Sequence, residues 1–217
     1  MEYSTLDKLG VRVSRLGFGC MRFPLTAEGK IDEPRAAAML DTAYKAGVTY
    51  YDTAYFYHQH TGEAFLGRAM KRYPRDTFYL ATKMPMSIVE SLDHAKEIFE
   101  GQLAALQTDY VDFYLLHAVN GERWKQAQEM GIVDFLLEMQ KAGRIRHFGF
   151  SFHGSYEEFE TILTARDWDF CQIQFNYMDQ EIQAGMRGYA LAEKLGVPII
   201  VMEPVKGGSL ATISDDI

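Results

Sequence analysis

Residues 17–22 read GFGCMR, closing the short run RLGFGC that forms the first strand-like segment after the N-terminal hairpin. A doubly wound nucleotide-binding sheet places G-x-G-x-x-G here, with a helix opening directly on the last glycine. In this chain Arg22 stands at the third glycine position, and Phe23 and Pro24 come next instead of a helix. The open layered sheet is therefore disfavoured.

Beyond Pro24 the chain repeats β-rich apolar runs and longer amphipathic stretches, the pattern of parallel strands joined by crossover helices. A hairpin over YSTLDKLGVRVS precedes the repeat and is read as a plug. Then RLGFGC leads to a helix from about Pro34 to Ala46, VTYYD to one over Gly62–Arg72, and TFYLATK to one over Ser91–Gln107. YVDFYLLH leads to Ile132–Ala142, IRHFGFS to Tyr156–Ala165, FCQIQFN to Ile182–Leu195, and PIIVMEP comes last. Seven strands and six helices fit an α/β protein of the (β/α)8 TIM-barrel type, which needs eight strands. The sequence stops in KGGSLATISDDI. We therefore expect residues 1–217 to form a single barrel domain, incomplete at its C-terminus, from a protein or family whose members extend beyond Ile217. Two open sheet edges then predict a homo-oligomer or a missing C-terminal segment as partner.

Composition narrows the function. At 217 residues and 47% hydrophobic, the chain can bury a proper core. A formal charge of −8 disfavours nucleic acid and anionic membrane as partners. The N-terminus MEYSTLDKLG lacks a basic segment followed by an apolar one, and no membrane-length apolar run occurs, so a cytoplasmic location is expected. Cys20 and Cys171 fit no metal or disulfide pattern and read as small buried hydrophobes.

Barrels of this kind carry their chemistry at the carboxyl ends of the strands. The polar residues there are Asp52, Lys83, His117, Ser151, Asn176 and Glu203, with Tyr57 one short loop beyond Asp52 in YDTAYFY. Each alone reads as a turn former or half-buried filler. Lys83 is different, because it lies between YLAT and MPM, and an ammonium enclosed by apolar surface requires a carboxylate partner or a shifted pKa. Around one mouth, Asp52 would hold Lys83, the ammonium would lower the pKa of the Tyr57 phenol, and His117 would orient a substrate oxygen. Such a set suits proton delivery to a carbonyl oxygen while a hydride arrives at carbon.

DTAYFY with Asp52 and Tyr57, ATK with Lys83, and DFYLLH with His117 together resemble the catalytic tetrad of the aldo-keto reductases, in order and in strand position. The resemblance runs from LGFGCMRFP through EPVKGG. It implies a (β/α)8 oxidoreductase that uses NADP, with NAD as the alternative, to reduce a small carbonyl substrate, an aldehyde or ketone. Tyr57 would be the general acid, Lys83 and Asp52 would tune it, and His117 would orient the carbonyl. The resemblance also implies cofactor contacts at Asp52, Ser151 and Gln172, at Gly19, Cys20 and Met21 in GFGCM, and at Met202, Pro204, Lys206 and Gly207 in the last segment. Phe152 stands where the family commonly has Asn, and Met202 where it often has an aromatic ring. The stretch that carries basic groups for an adenosine 2′-phosphate is absent. MEPVKGG also resembles a branch that continues into a C-terminal iron-sulfur domain, which this chain lacks.

Three other readings stay open: a Schiff-base lyase using Lys83, a metal hydrolase built on His58 and His60 with Glu63 and His117, and a nucleotide-binding barrel without turnover. Glu203 reads as facing the cofactor or pairing with Lys206. Trp124 and Met130 read as pocket lining or surface-loop packing. Glu157, Glu158 and Glu160 read as a solvated helix face.

Overall fold

A computed structural model describes residues 1–211. Strands β1 (Tyr3–Leu6) and β2 (Val11–Ser14) form an antiparallel hairpin. The remaining strands are β3 (Phe18–Gly19), β4 (Tyr50–Asp52), β5 (Tyr79–Met84), β6 (Val111–Val119), β7 (Ile145–Phe152), β8 (Phe170–Gln174) and β9 (Ile199–Met202). They make one seven-stranded sheet in chain order, every neighbouring pair parallel. The sheet curls into an incomplete barrel. Past its two edge strands, Arg22 and Glu203 meet in an ion pair of 2.9 Å.

The crossover helices are α1 (Glu33–Lys45), α2 (Gly62–Met70), α3 (Leu92–Leu106), α4 (Gly121–Glu129), α5 (Ile132–Lys141), α6 (Tyr156–Thr164) and α7 (Gly185–Lys194). Local signals start them. The Asp32 carboxylate accepts from the Arg35 N–H at 3.2 Å with Pro34 in the first turn, and Ser91 caps α3 through His94. Gly47 ends the first crossover at φ 87, where a Cβ would be strained.

Two elements differ from the sequence reading. The stretch NGERWKQAQEMG is the helix α4, and Trp124 packs into the core against Trp168 at 5.4 Å between ring centres. It is neither pocket nor surface loop. The helix expected from Ile182 begins at Gly185, because Gln183 sits at φ 57, outside helical space.

Period-two alternation sorts each strand into an outward and an inward set. Outward residues such as Leu80, Tyr114, Phe150 and Cys171 pack under the helices in the main core. Inward, Tyr50, Ala81, Phe113 and Phe170 form a layer at the base, with Leu6, Leu9 and Val11 of the hairpin packed against it. Gly149 faces Phe170 in register, and a Cβ there would stand 2.4 Å from the Phe170 carbonyl oxygen. The hairpin closes the base as expected. Ser14 exchanges hydrogen bonds with Thr49, and the Lys8 ammonium reaches Asp167 and the Trp168 carbonyl.

At the open edge, Tyr189, Val197, Ile199 and Val201 border a hollow of about 380 Å³. Among the described residues no helix is long and apolar enough to cross a membrane.

Candidate active site

Two residues up each strand from the base layer, the same inward face presents Asp52 on β4, Lys83 on β5, Ser151 on β7 and Gln172 on β8. Four up from Phe113 it presents His117 on β6. The alternation that fills the bore thus places every one of these polar groups at the mouth.

Lys83 is almost fully enclosed, with 3% of its side chain exposed. Its Nζ donates to Asp52 Oδ1 at 2.6 Å and to the Thr53 carbonyl at 2.8 Å, and lies 3.5 Å from the Tyr57 hydroxyl. Burial pushes the ammonium toward neutrality, but Asp52 and Tyr57 outweigh it and raise the Lys83 pKa above its ordinary value. The cation is fixed.

Tyr57 is brought there by an unusual backbone. His58, Gln59 and His60 come directly after it in left-handed conformation, at φ 53, 55 and 68. Three successive non-glycine residues in that region cost on the order of 1–3 kcal/mol each, which surrounding contacts must offset. The His58 ring bonds the Cys20 carbonyl at 2.9 Å and packs on Phe23 at 5.4 Å, and the Gly62 N–H returns to the Tyr57 carbonyl at 3.1 Å. His58 is thereby committed to structure. Among the described residues no group of three His, Cys, Asp or Glu could hold a metal.

The Tyr57 phenol does not show the expected shift. Burial raises its pKa, Lys83 opposes this and Asp52 adds to it, and the balance lies above the ordinary value. At neutral pH the hydroxyl keeps its proton, the state required of a donor.

His117 faces Tyr57 edge-on, ring centres 6.4 Å apart, and the Phe56 ring lies 6.2 Å from it. Burial, then the positive groups Lys83, His153 and Arg123, hold its pKa down at about 3. A neutral imidazole can offer an N–H to a substrate oxygen without competing for the proton. Ala118 comes next at φ 49, and Ser151 Oγ accepts its N–H at 2.9 Å.

Gln172 carries an interaction that spacing did not reveal, donating to the second Asp52 oxygen at 3.1 Å. Register pairs Ser151 with Gln172 and Gly19 with Asp52. Cys20 is completely buried and its thiol pKa is raised by burial, whereas Met21 is exposed. Both cysteines are free and buried. Met202 ends β9, and Pro204, Lys206 and Gly207 lie in the loop beyond. Glu203 does not pair with Lys206: it pairs with Arg22 at 2.9 Å, and Lys206 pairs with Asp179 at 2.9 Å. Asn176 is a turn former that accepts the Met178 and Asp179 N–H groups. Glu158 is not merely solvated, since it completes a capping box with Ser155 and accepts from the Gly121 N–H.

Sequence reasoning missed a buried set behind the strand. Glu63 accepts from Thr82 Oγ1 and from Gln102 Nε2, the latter at 2.9 Å, and the same Gln102 amide bonds the Lys83 carbonyl. Its signal is an acid, an amide and a hydroxyl at positions that the helical and strand periods assign to the core.

A curled parallel sheet with an Asp, Lys, Tyr and His gathered at its mouth defines a class, and comparison with known proteins agrees. The family model for the aldo/keto reductase family matches residues 15–216, and the chain belongs to that family. It is 29% identical over 205 residues to "Aldo-keto reductase YhdN" of Bacillus subtilis, covering 90% of this chain and 60% of that protein. It is 25% identical over 244 residues to "Versiconal hemiacetal acetate reductase" of Aspergillus parasiticus, covering 97% of this chain and 69% of that one. Among solved structures, the holo form of aldo-keto reductase AKR11C1 from Bacillus halodurans superposes with a TM-score of 0.79 at 27% identity, over 100% of this chain and 72% of the other. Aldo-keto reductase Tm1743, solved with the inhibitor epalrestat, gives 0.80 at 25% identity, over 99% and 76%. The chain spans about 60% of the length of curated relatives such as YhdN.

Proposed function

We propose that this chain carries the proton-delivering site of a nicotinamide-dependent reductase that converts a small aldehyde or ketone to an alcohol. The observation that carries the reading is the enclosed Lys83 ammonium, held by Asp52 at 2.6 Å and standing 3.5 Å from the Tyr57 hydroxyl. The Tyr57 phenol gives its proton to the carbonyl oxygen, and the ammonium stabilises the phenolate left behind. His117, neutral, donates a hydrogen bond to the same oxygen and fixes its approach.

The residues at the mouth fit a nicotinamide nucleotide. Ser151 and Gln172 are buried inward polar groups, and neither the Ser151 hydroxyl proton nor the Gln172 carbonyl oxygen is used in the bonds they make to Ala118 and Asp52. A carboxamide matches that pair. Gly19, Cys20 and Met21 on one side of the barrel gap, and Met202, Pro204, Lys206 and Gly207 on the other, would hold the rest, with the Gly207 and Gly208 amides able to approach phosphate oxygens closely. When bound, the cofactor supplies the hydride. NADP is preferred over NAD through the family resemblance alone.

A second reading, a nucleotide-binding barrel without turnover, is favoured by the Lys83–Tyr57 contact, which at 3.5 Å is longer than an ordinary N–H···O hydrogen bond. Fluorescence titration with NADPH and NADH, followed by NADPH oxidation with a panel of aldehydes and quinones, separates the two. Binding with turnover that Tyr57→Phe abolishes supports the reductase. Binding without turnover supports the alternative, and no binding removes both.

A further inference from the structure

Glu63 sits in the first turn of α2, outside the group that touches substrate, and is 5% exposed. A carboxylate in such a place must be compensated by hydrogen bonds, and here it is. Thr82 Oγ1 and Gln102 Nε2 both donate to its Oε1, Gln102 Nε2 also donates to the Lys83 carbonyl at 2.9 Å, and the Tyr114 hydroxyl donates to Gln102 Oε1 at 2.6 Å. Thr82, Gln102 and Tyr114 are 0%, 1% and 0% exposed. Four side chains from α2, β5, α3 and β6 thus form one dry network around the main chain of Lys83.

The other end of Glu63 is tied to Tyr57. Its preceding residue, Gly62, returns its N–H to the Tyr57 carbonyl at 3.1 Å, and a Cβ on Gly62 would stand only 3.1 Å from that same oxygen. The left-handed turn that presents Tyr57 is therefore closed against the residue that carries the Glu63 anchor. At its start the loop is tied to β5 by Thr53, whose N–H donates to the Ala81 carbonyl at 2.9 Å and whose carbonyl accepts from Lys83 Nζ at 2.8 Å. At its far end, beyond Tyr57, the Glu63 carboxylate makes the tie, by bonding the residue before Lys83 and, through Gln102, the peptide of Lys83.

We propose that Glu63 is a positioning residue that ties the Tyr57 turn to the Lys83 strand and so sets the separation between the Tyr57 hydroxyl and the Lys83 ammonium. The proposal rests on the reading of Tyr57 and Lys83 as the proton-delivering pair. It assigns to a buried acid behind the barrel wall a role in the chemistry in front of it. Small displacements of such a pair are costly, because an ammonium stabilises a phenolate strongly only at hydrogen-bond range.

The test compares Glu63→Ala, Glu63→Gln and, as a control, Met70→Ala, which empties a buried site on the same helix away from the network. The first readout is the Tyr57 phenol titration, followed by NMR with ring-labelled tyrosine and assigned with Tyr57→Phe. The charged groups facing that phenol are Asp52 from β4 and Lys83 from β5, with the neutral His117 from β6. Glu63→Ala is expected to move the Tyr57 titration to higher pH and to lower kcat by about tenfold or more at nearly constant KM. Glu63→Gln keeps a carbonyl acceptor and restores most of both, and Met70→Ala loses thermal stability while leaving both in place. If Glu63→Ala only lowers the melting temperature, as Met70→Ala does, the tie is structural and the proposal is overturned. Should Glu63→Ala not fold, Thr82→Val removes one donor at similar volume, and an unmoved titration there overturns it as well. A wild-type protein that reduces no carbonyl would defeat the proposed function, and the titration would still decide the role of Glu63.

Discussion

Gln172 on β8 donates to Asp52 on β4 across the bore of the barrel, at 3.1 Å. Both Asp52 oxygens are thereby occupied, one by Gln172 and one by Lys83, so the carboxylate cannot rotate away from the ammonium. Replacing Gln172 by Met keeps the volume and removes a bond to a charged acceptor, worth about 1.5–3 kcal/mol. Turnover is expected to fall about tenfold or more, measured as kcat with saturating nucleotide. Unchanged kcat with weakened nucleotide binding alone would assign Gln172 to the cofactor and not to Asp52.

Lys83→Met and Tyr57→Phe should separate stability from chemistry. The first leaves Asp52 partly buried without its cation, at a cost of about 3–5 kcal/mol for a broken buried pair. The second removes a hydroxyl that makes one long contact, so stability is expected to hold while turnover falls by about 10²-fold or more. Urea denaturation beside steady-state kinetics checks both. Equal destabilisation by the two variants would contradict the arrangement.

His117 makes the fold sensitive to acid. Its pKa in the folded protein is about 3 against an ordinary 6.5, so between those values the unfolded chain binds more protons than the folded one. Its contribution to stability is complete above pH 6.5 and is lost progressively as pH falls toward 3. Melting temperatures from pH 7 to pH 4 are expected to drop more steeply for the native protein than for His117→Gln. Parallel curves would show that the imidazole is not held neutral.

Gly149→Ala tests the base layer. The new Cβ would lie 2.4 Å from the Phe170 carbonyl oxygen and 2.8 Å from its ring, with backbone on one side. Overpacking of this kind typically costs about 1–3 kcal/mol. A lowered denaturation midpoint is expected, whereas alanine at the exposed Gly101, where nothing lies within 4 Å, should be neutral or stabilising.

The strands and the mouth are legible in the sequence because both obey period two from a few aromatic residues. Once Phe113 faces inward, His117 must; once Tyr50 does, so must Asp52. The helix α4 is not legible, since its polar composition hides an apolar face of only Trp124 and Ala127. Its cap is present in the sequence all the same: Asn120 accepts the Arg123 N–H at 2.9 Å. The direction of the Tyr57 shift escapes the sequence because spacing shows the neighbour that lowers a pKa and not the enclosure that raises it. The partner of Glu203 depends on curvature that brings the β3 and β9 loops together, and that of Lys206 on the path of the chain after β8, neither of which a local pattern encodes.

The hairpin at the base has a kinetic consequence. Lys8 bonds Asp167 and the Trp168 carbonyl across 159 and 160 residues of chain, while Lys83 reaches Asp52 and Thr53 across 31 and 30. Contacts that close long loops form late, after the entropy of the intervening chain has been spent. The hairpin can reach β4 as early as the mouth can assemble, since Ser14 and Thr49 lie 35 residues apart, but its Lys8 latch must wait for Asp167 and Trp168, just before β8. The floor is laid early and fastened last.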